Sequence, residues 1–343
     1  MSTKVGEETA QRDDVPRPTQ AREHGGAAAT GSEFVLPEKT ESRMYPSLIP
    51  ARARASRCKD TVDVRETTAF DYLRFILNST KGSRAPAGNG KVTWMDLCCG
   101  RGSILNHIPG ALSNAMHRVH YYGVDNEPKH IEVCERLGRD LGLPGSLGHF
   151  HAASCDATQD LRTRFKSKRA DLVTLLNVLH EIPPRGLFDL LTSAITICKG
   201  TGRIIIVDMV ELPELERGAV TWSKGDIERL TRPLLKPSAL PLIVSSFQKS
   251  VSVVTFEIRK SWVDLRKLEG DRALAKREFT RNVKAILRDM QAQVSKAVIR
   301  MLDDHDKIRE SGKPMKEPDE RPLAQLLWKH WTIAEALSQR RWP

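Results

Sequence analysis

The amino-acid sequence predicts an α/β fold, in which a doubly wound, mostly parallel seven-stranded sheet carries an antiparallel edge hairpin and is followed by a C-terminal helical extension. Two observations predict it. Between residues 61 and 208, five apolar runs typical of buried strands alternate with amphipathic helical segments, which favours a parallel sheet with helices on both faces. Two β-rich runs, 240–247 and 251–258, are then separated by three residues, as in an antiparallel hairpin.

The predicted elements follow one another in a regular order. Strands are expected at 92–96, 120–125, 150–153, 171–176 and 203–208, and helices at 61–78, 103–107, 127–141, 184–198 and 225–235. Beyond the hairpin, apolar residues recur at helical spacing over 272–309 and again over 323–337. We therefore expect a disordered leader (1–58), because its composition is polar and rich in Gly, Ala and Pro, then one sheet domain (59–262) and a C-terminal helical extension (263–343).

Composition limits the classes of protein to which the chain can belong. The chain has 343 residues, 40% of them hydrophobic, and a net charge of +11. It has neither an apolar run of the roughly 18 to 20 residues that span a membrane nor a secretory signal, so we expect a cytoplasmic protein. The six cysteines form no C-x-x-C pair, which indicates free thiols and no metal. The positive charge suits a nucleic acid, but both signs alternate along the C-terminal helices, as on a solvated face.

The stretch from Val92 to Leu105 joins a predicted strand to a predicted helix. Its apolar run ends in Asp96, and small residues follow, among them Cys98, Gly100 and Gly102. Glycine lets the backbone approach a ligand closely because it has no Cβ. Taken alone, the stretch fits a plain strand-to-helix turn and a ligand-binding loop equally well.

Carboxylates stand at the ends of the first three predicted strands: Asp96, Asp125 and Asp156. Open parallel sheets bind ligands at this edge, and Asp125 follows Gly102 by 23 residues, near the spacing at which an acid binds ribose hydroxyls. Leu105 stands where a dinucleotide fingerprint needs its third glycine, and the sequence has no phosphate-binding G-x-x-x-x-G-K motif. The pattern therefore favours a nucleoside without phosphate.

Over about residues 61–260 the sequence resembles the class I S-adenosylmethionine-dependent methyltransferases, whose sheet is Rossmann-like. The resemblance is carried by Asp96–Gly102, Gly123–Asp125, Cys155–Ala157, Leu175–Ile182 and Gly202–Asp208. These segments are specific as an ordered set, although each one is loose. The resemblance implies that S-adenosylmethionine is the cofactor.

The resemblance also implies the residues that bind this cofactor. The loop with Asp96, Cys98, Gly100 and Gly102 would contact the methionine moiety, although the family usually has glycine where Cys98 stands. Further along the chain, Asp125 with the adjacent Asn126 would bind the ribose, Asp156 and Ala157 the adenine, and Asn177 would lie near the sulfonium and the amino group.

His180 is the candidate catalytic residue. It lies just past the fourth predicted strand, and an imidazole with the ordinary pKa of about 6.5 could take a proton from an acceptor hydroxyl near neutrality. The stretch Val178–Glu181 also resembles the Leu-His-Asp stretch of metal-independent small-molecule O-methyltransferases, in which the histidine is the base. The alternative is that His180 only lines the pocket. Glu181 is expected to cap the following helix.

The expected function is methyl transfer to an oxygen or nitrogen of a small molecule. After the fourth strand the chain has neither the Asn/Asp-Pro-Pro-Tyr stretch of adenine N-methyltransferases nor the carboxylate cluster of magnesium-dependent catechol-type enzymes. An RNA or protein acceptor stays open because of the net charge, and so does a non-catalytic scaffold with this fold. The C-terminal helices are expected to pack against the sheet, to cover the acceptor pocket or to join two copies in a homodimer, and no membrane partner is expected.

Overall fold

The computed structural model places the residues that it describes in one compact unit, which lies within residues 46–343. The described residues are 69–78, 91–108, 115–140, 150–154, 169–212, 218–239, 242–248, 251–311 and 320–338, together with 112, 157, 161, 165 and 216. The predicted leader (1–58) and Asp156 lie outside the described residues.

The described strands form one mixed sheet. They are β1 (Val92–Leu97), β2 (Val119–Asp125), β3 (Phe150–Ser154), β4 (Ala170–Leu176), β5 (Cys198–Met209), β6 (Leu242–Gln248) and β7 (Val251–Arg259). Their order across the sheet is β3-β2-β1-β4-β5-β7-β6. The pairs among β1 to β5 are parallel, whereas β7 is antiparallel to both β5 and β6. The predicted mixed α/β sheet with flanking helices is confirmed.

The direction in which strands are added reverses beside β1. From β1 the chain moves outward through β2 to β3, and then returns to β4 on the other side of β1. Leu97 at the end of β1 is in register with Val124 of β2 and Leu175 of β4. The carboxyl ends of these strands therefore lie side by side, at the kind of reversal where open α/β sheets bind ligands.

The described helices are α1 (69–78), α2 (Pro128–Asp140), α3 (Leu187–Ile197), α4 (Lys224–Thr231), α5 (Leu265–Gly270), α6 (Arg272–Glu310) and α7 (Glu320–Ser338). The helix expected at 103–107 is instead a short 3₁₀ helix, Ser103–His107.

Strand β5 begins at Cys198 instead of residue 203. Gly202 lets this strand run close to β4, because a Cβ at that position would lie 2.8 Å from the carbonyl oxygen of Ala170.

The two faces of the sheet are covered by separate apolar clusters. In β1, Met95 and Leu97 enter one cluster and Val92 and Trp94 enter the other, because successive side chains of a strand point to opposite faces. Helices α3 and α6 contribute to the first cluster, and α1 contributes to the second. Helices thus cover both faces, as a doubly wound sheet requires.

The long helix α6 lays its apolar stripe on the sheet domain. Phe279, Val283 and Leu287 are buried in the same cluster as α3, and the ring of Phe279 lies 5.5 Å from that of Phe188. Helix α7 packs in turn against α6. The homodimer and the domain boundary after residue 262 stay predictions. None of the helices in the described ranges combines the length and apolar character needed to cross a membrane.

Candidate active site

The turn after β1 depends on three residues in the left-handed backbone conformation. Cys98, Gly100 and Gly102 have φ values of 56°, 54° and 71°. A Cβ on Gly100 would meet no atom within 4 Å, whereas a Cβ on Gly102 would lie 2.6 Å from Sγ of Cys134 in α2. Gly100 therefore borders open space, and Gly102 allows α2 to pack closely against the turn.

Asp125 links the turn after β1 to the start of α2. One carboxylate oxygen accepts a hydrogen bond from the backbone N–H of Gly100 (2.8 Å), and the other accepts one from the N–H of Glu127 (3.0 Å) and lies 3.2 Å from Nδ1 of His130. Asp125 is almost fully buried. Because each carboxylate oxygen can accept two hydrogen bonds, the Asp125 oxygen that faces Gly100 retains acceptor capacity.

Asp96 is buried deeper, where it joins three strands. Its carboxylate accepts hydrogen bonds from Oγ1 of Thr174 in β4 (2.6 Å) and from the hydroxyl of Tyr121 in β2 (3.0 Å). Burial raises the pKa of Asp96 to about 6, although both hydrogen bonds act in the opposite direction. The structure thus gives Asp96 a bracing position behind the turn, and its predicted contact with a cofactor stays a prediction.

Asn177 takes the corresponding position at the end of β4. It also has a left-handed backbone, with φ of 57°, and its N–H donates to the carbonyl oxygen of Val207 in β5 (2.7 Å). Its side-chain oxygen Oδ1 is buried, and within the described part of the chain it has no hydrogen-bond partner. A buried acceptor without a partner is costly to maintain, so Asn177 is suited to receive a donor group from a ligand.

The other predicted cofactor residues, Asn126, Ala157 and Asp156, do not share one environment. Asn126 is exposed in the turn after β2, and Ala157 is buried within the apolar cluster that includes α3. Asp156, predicted to bind adenine, is outside the described residues. The structure therefore brings Asp125, Gly100 and Asn177 to one edge of the sheet and does not test the adenine end.

His180 is completely buried beyond the end of β4, where Asp208 of β5 holds it. Its Nδ1 lies 2.5 Å from one carboxylate oxygen of Asp208, and its backbone N–H donates to the other (2.8 Å). Its Nε2 points toward two further carboxylates, 3.5 Å from Glu216 and 4.0 Å from Glu181. The ring is thus fixed in orientation and surrounded by acids.

These acids correct the pKa that was expected for His180. Burial alone would lower it, but the neighbouring carboxylates of Asp208 and Glu216 outweigh burial and raise the pKa to about 10, instead of the ordinary value near 6.5. The imidazole therefore carries a proton near neutrality in this structure. A resting general base must be unprotonated, so this environment does not by itself provide the expected base.

Two residues of this cluster were not predicted. Asp208 stands at the end of an apolar run, as Asp96 and Asp125 do, and this position could have marked it as a candidate site residue. Glu216 lies in the segment after β5 and has no sequence pattern that marks it. Glu181 was expected to cap a helix, but the helix that follows, α3, has Gly186 at its N-cap and no side-chain cap. The carboxylate of Glu181 faces His180 instead.

The C-terminal extension reaches the same cluster through α7. The indole N–H of Trp328 donates a hydrogen bond to the backbone carbonyl of Glu216 (3.1 Å), across 112 positions of sequence. Trp328 also packs beside Trp331, with ring centroids 5.1 Å apart. The segment that carries Glu216 is therefore held in place by the end of the chain.

The region that contains these strand ends is similar to a known protein family. Residues 89–232 match the family model described as a methyltransferase domain. This region is therefore similar to a methyltransferase domain. The matched region includes Asp125, Asn177, His180, Asp208 and Glu216, whereas Trp328 lies beyond it. No curated protein matches the chain.

Solved structures similar to this chain include several methyltransferases. TrmN from Thermus thermophilus is 18% identical, with 54% of this chain and 47% of that chain covered and a TM-score of 0.36. NodS, an N-methyltransferase from Bradyrhizobium japonicum WM9 in complex with S-adenosyl-L-homocysteine, is 15% identical, with 59% and 90% covered and a TM-score of 0.38. Magnesium protoporphyrin IX methyltransferase from Synechocystis PCC 6803 with bound SAM is 16% identical, with 66% and 98% covered and a TM-score of 0.39. The chain thus spans about half the length of the first, and such distant likeness does not indicate a substrate.

Proposed function

We propose that this chain is an S-adenosylmethionine-dependent methyltransferase that transfers a methyl group to an oxygen or nitrogen of a small molecule. One observation carries the proposal: the turn after β1 leaves open space at Gly100, directly where its N–H meets the Asp125 carboxylate. A nucleoside with a cationic, phosphate-free tail suits a site that has carboxylates and small residues but no phosphate loop.

In this proposal, residues at different strand ends bind different parts of the cofactor. Asp125 and Asn126 bind the ribose hydroxyls, the turn from Cys98 to Gly102 lies along the methionine moiety, and Asn177 Oδ1 accepts from its ammonium group. Asp156 and Ala157 are proposed for the adenine. Asp96 supports this site from behind, where hydrogen bonds from Thr174 and Tyr121 hold its carboxylate. We assign the seven-strand order and its antiparallel edge hairpin to the same methyltransferase fold.

The reaction follows from the chemistry of a sulfonium. The bond between sulfur and the methyl carbon breaks, and its electron pair stays on sulfur, which becomes the neutral thioether of S-adenosylhomocysteine. A lone pair of the acceptor oxygen or nitrogen forms the new bond in line with the leaving sulfur, and the acceptor releases its proton to solvent. His180 is proposed to act on the acceptor side of this step, since it follows Asn177 by three residues beyond the end of β4.

Calorimetric titration of the full chain with S-adenosylhomocysteine tests cofactor binding. We expect saturable binding, and we expect Asp125→Asn to weaken it by about tenfold or more, because a charged acceptor for the ribose hydroxyls is lost. Asp289→Asn is the matched control, since Asp289 is an exposed carboxylate of α6 that pairs with Arg229. If the intact chain binds neither S-adenosylhomocysteine nor S-adenosylmethionine, the proposal is wrong.

The acceptor class needs a separate experiment. Radiolabelled S-adenosylmethionine is incubated with the protein and with small-molecule, RNA and protein fractions of a cell extract. We expect counts in the small-molecule fraction. Counts only in RNA or protein would replace the small-molecule proposal with its macromolecular alternative, whereas cofactor binding without turnover in any fraction would indicate a non-catalytic scaffold.

A further inference from the structure

Three potential ligand atoms meet beside the end of β4. They are Nε2 of His180 and one carboxylate oxygen each from Glu181 and Glu216, and all three lie within 4.8 Å of one another. His180 and Glu181 follow β4, while Glu216 comes from the segment after β5. The cluster is thus assembled by the fold from two separate parts of the chain.

The buried imidazole is oriented toward this cluster. The side chain of His180 has no exposed surface, and Nε2 forms no hydrogen bond of good geometry with a described group, although a carboxylate oxygen of Glu216 lies 3.5 Å away. Its other nitrogen, Nδ1, is engaged by Asp208 at 2.5 Å. A carboxylate on one nitrogen that fixes the ring while the other nitrogen faces outward is the usual arrangement around a metal-binding histidine.

We propose that His180, Glu181 and Glu216 bind one divalent transition-metal ion, with Asp208 as the residue that orients the imidazole. One imidazole nitrogen and two carboxylate oxygens suit ions such as Mn²⁺, Fe²⁺ or Zn²⁺. This departs from the prediction that the protein needs no metal. That prediction rested on the cysteine pattern and on the stretch from Asn177 to His180, which contains no carboxylate cluster.

The distances fit such an ion after small side-chain movements. Two ligand atoms about 2.1 Å from a tetrahedrally coordinated ion lie about 3.4 Å apart, and Nε2 lies 3.5 Å from Glu216 and 4.0 Å from Glu181. The side chains that must move are those of Glu216 and Glu181, which are 35% and 58% exposed, respectively. The same exposure leaves room on the solvent side for water or for an acceptor.

The charge of the cluster also favours a cation. Asp208, Glu181 and Glu216 are three carboxylates around one imidazole, and within the described ranges no Lys or Arg pairs with any of them. Partly buried like charges repel one another, and one protonated imidazole can balance at most one of the three carboxylates. A divalent ion would compensate them and displace the proton from Nε2, since metal ions bind the neutral imidazole.

The role of such an ion rests on the proposed methyl transfer. An acceptor hydroxyl bound to the ion would have a lower pKa, so it would lose its proton without a histidine base. His180 would then act as a ligand, which agrees with its fixed orientation. The ion-binding proposal itself is tested without any turnover.

The experiment is titration of the chelator-treated full chain with MnCl₂, followed by the EPR signal of free Mn²⁺. We expect one bound Mn²⁺ per chain, at least about tenfold weaker binding in Glu216→Gln and in Glu181→Gln, and competition by Zn²⁺. Glu211→Gln is the matched control, because Glu211 is an exposed carboxylate just after β5 that does not belong to the cluster. Its affinity should equal that of the unmodified chain.

Two results would overturn the proposal: no stoichiometric Mn²⁺ binding by the unmodified chain, with or without S-adenosylhomocysteine, or equal affinity in all three variants. Thermal unfolding of each variant checks that it is folded, and the exposure of both glutamates makes a folding defect unexpected. Calorimetry with S-adenosylhomocysteine runs in parallel. Cofactor binding without Mn²⁺ binding refutes only the metal site, and the reverse result refutes only the proposed function.

Discussion

Replacing Gly102 by alanine should destabilise the protein through two separable effects. The first is the left-handed backbone, with φ of 71°, which costs a residue with a Cβ about 1–2 kcal/mol. The second is a clash, because the new Cβ would lie 2.6 Å from Sγ of Cys134, and such overpacking costs about 1–3 kcal/mol. We expect the free energy of unfolding to fall by about 2–5 kcal/mol.

Gly100→Ala separates these two effects. Gly100 has φ of 54°, but a Cβ at this position would meet no atom within 4 Å, so only the backbone effect of about 1–2 kcal/mol is expected there. In a Cys134→Ala background, the cost of Gly102→Ala should fall to that of Gly100→Ala. Urea unfolding at 25 °C, followed by circular dichroism, measures all four variants. Equal costs at the two glycines, or no relief by Cys134→Ala, would refute the steric argument.

Three further outcomes are expected. Cys98→Gly should raise the free energy of unfolding by up to about 1 kcal/mol in urea, because glycine tolerates the left-handed conformation of Cys98; a loss of stability would contradict this. The raised pKa of Asp96, about 6 against 3.8 for the unfolded chain, stabilises the fold below pH 4, and this contribution is lost as the pH rises through 6. The stability of the unmodified chain relative to Asp96→Asn should therefore fall by on the order of 3 kcal/mol across this range, and a pH-independent difference would refute the shift. Trp328→Phe should weaken Mn²⁺ binding by about 2- to 10-fold, because the indole no longer anchors Glu216, while binding of S-adenosylhomocysteine stays unchanged; EPR and calorimetry measure the two.

The elements of the sheet domain could be predicted closely because their patterns are local. The run expected at 92–96 is β1 (Val92–Leu97), and the helix expected at 272–309 is α6 (Arg272–Glu310). The start of β5 was placed five residues too late. Its first residues include glycines and a lysine, and only contact with β4 makes them a strand. Local composition contains no information about that contact.

The residues of the candidate site that stand at strand ends could be predicted from the sequence, whereas the surroundings of His180 could not. Asp125 and Asn177 stand at strand ends, and the topology of a parallel sheet brings strand ends together whatever the loops do. The surroundings of His180 were not predictable, because Glu216 reaches it from a segment without a motif. The pKa of His180 depends on those neighbours and not on the histidine itself, so an ordinary value was the only available expectation.

The left-handed residues at the ends of β1 and β4 have a consequence for the energetics of recognition. Cys98 and Asn177, with φ of 56° and 57°, are both held in a conformation that disfavours side chains with a Cβ. This cost, about 1–2 kcal/mol for Cys98 and less for Asn177, whose side chain tolerates the conformation, is part of the free energy of folding and not of binding. The turns after β1 and β4 are thus preorganised, and association should require little ordering of the backbone. Affinity for a cofactor would then depend mainly on the contacts made and on desolvation of these turns.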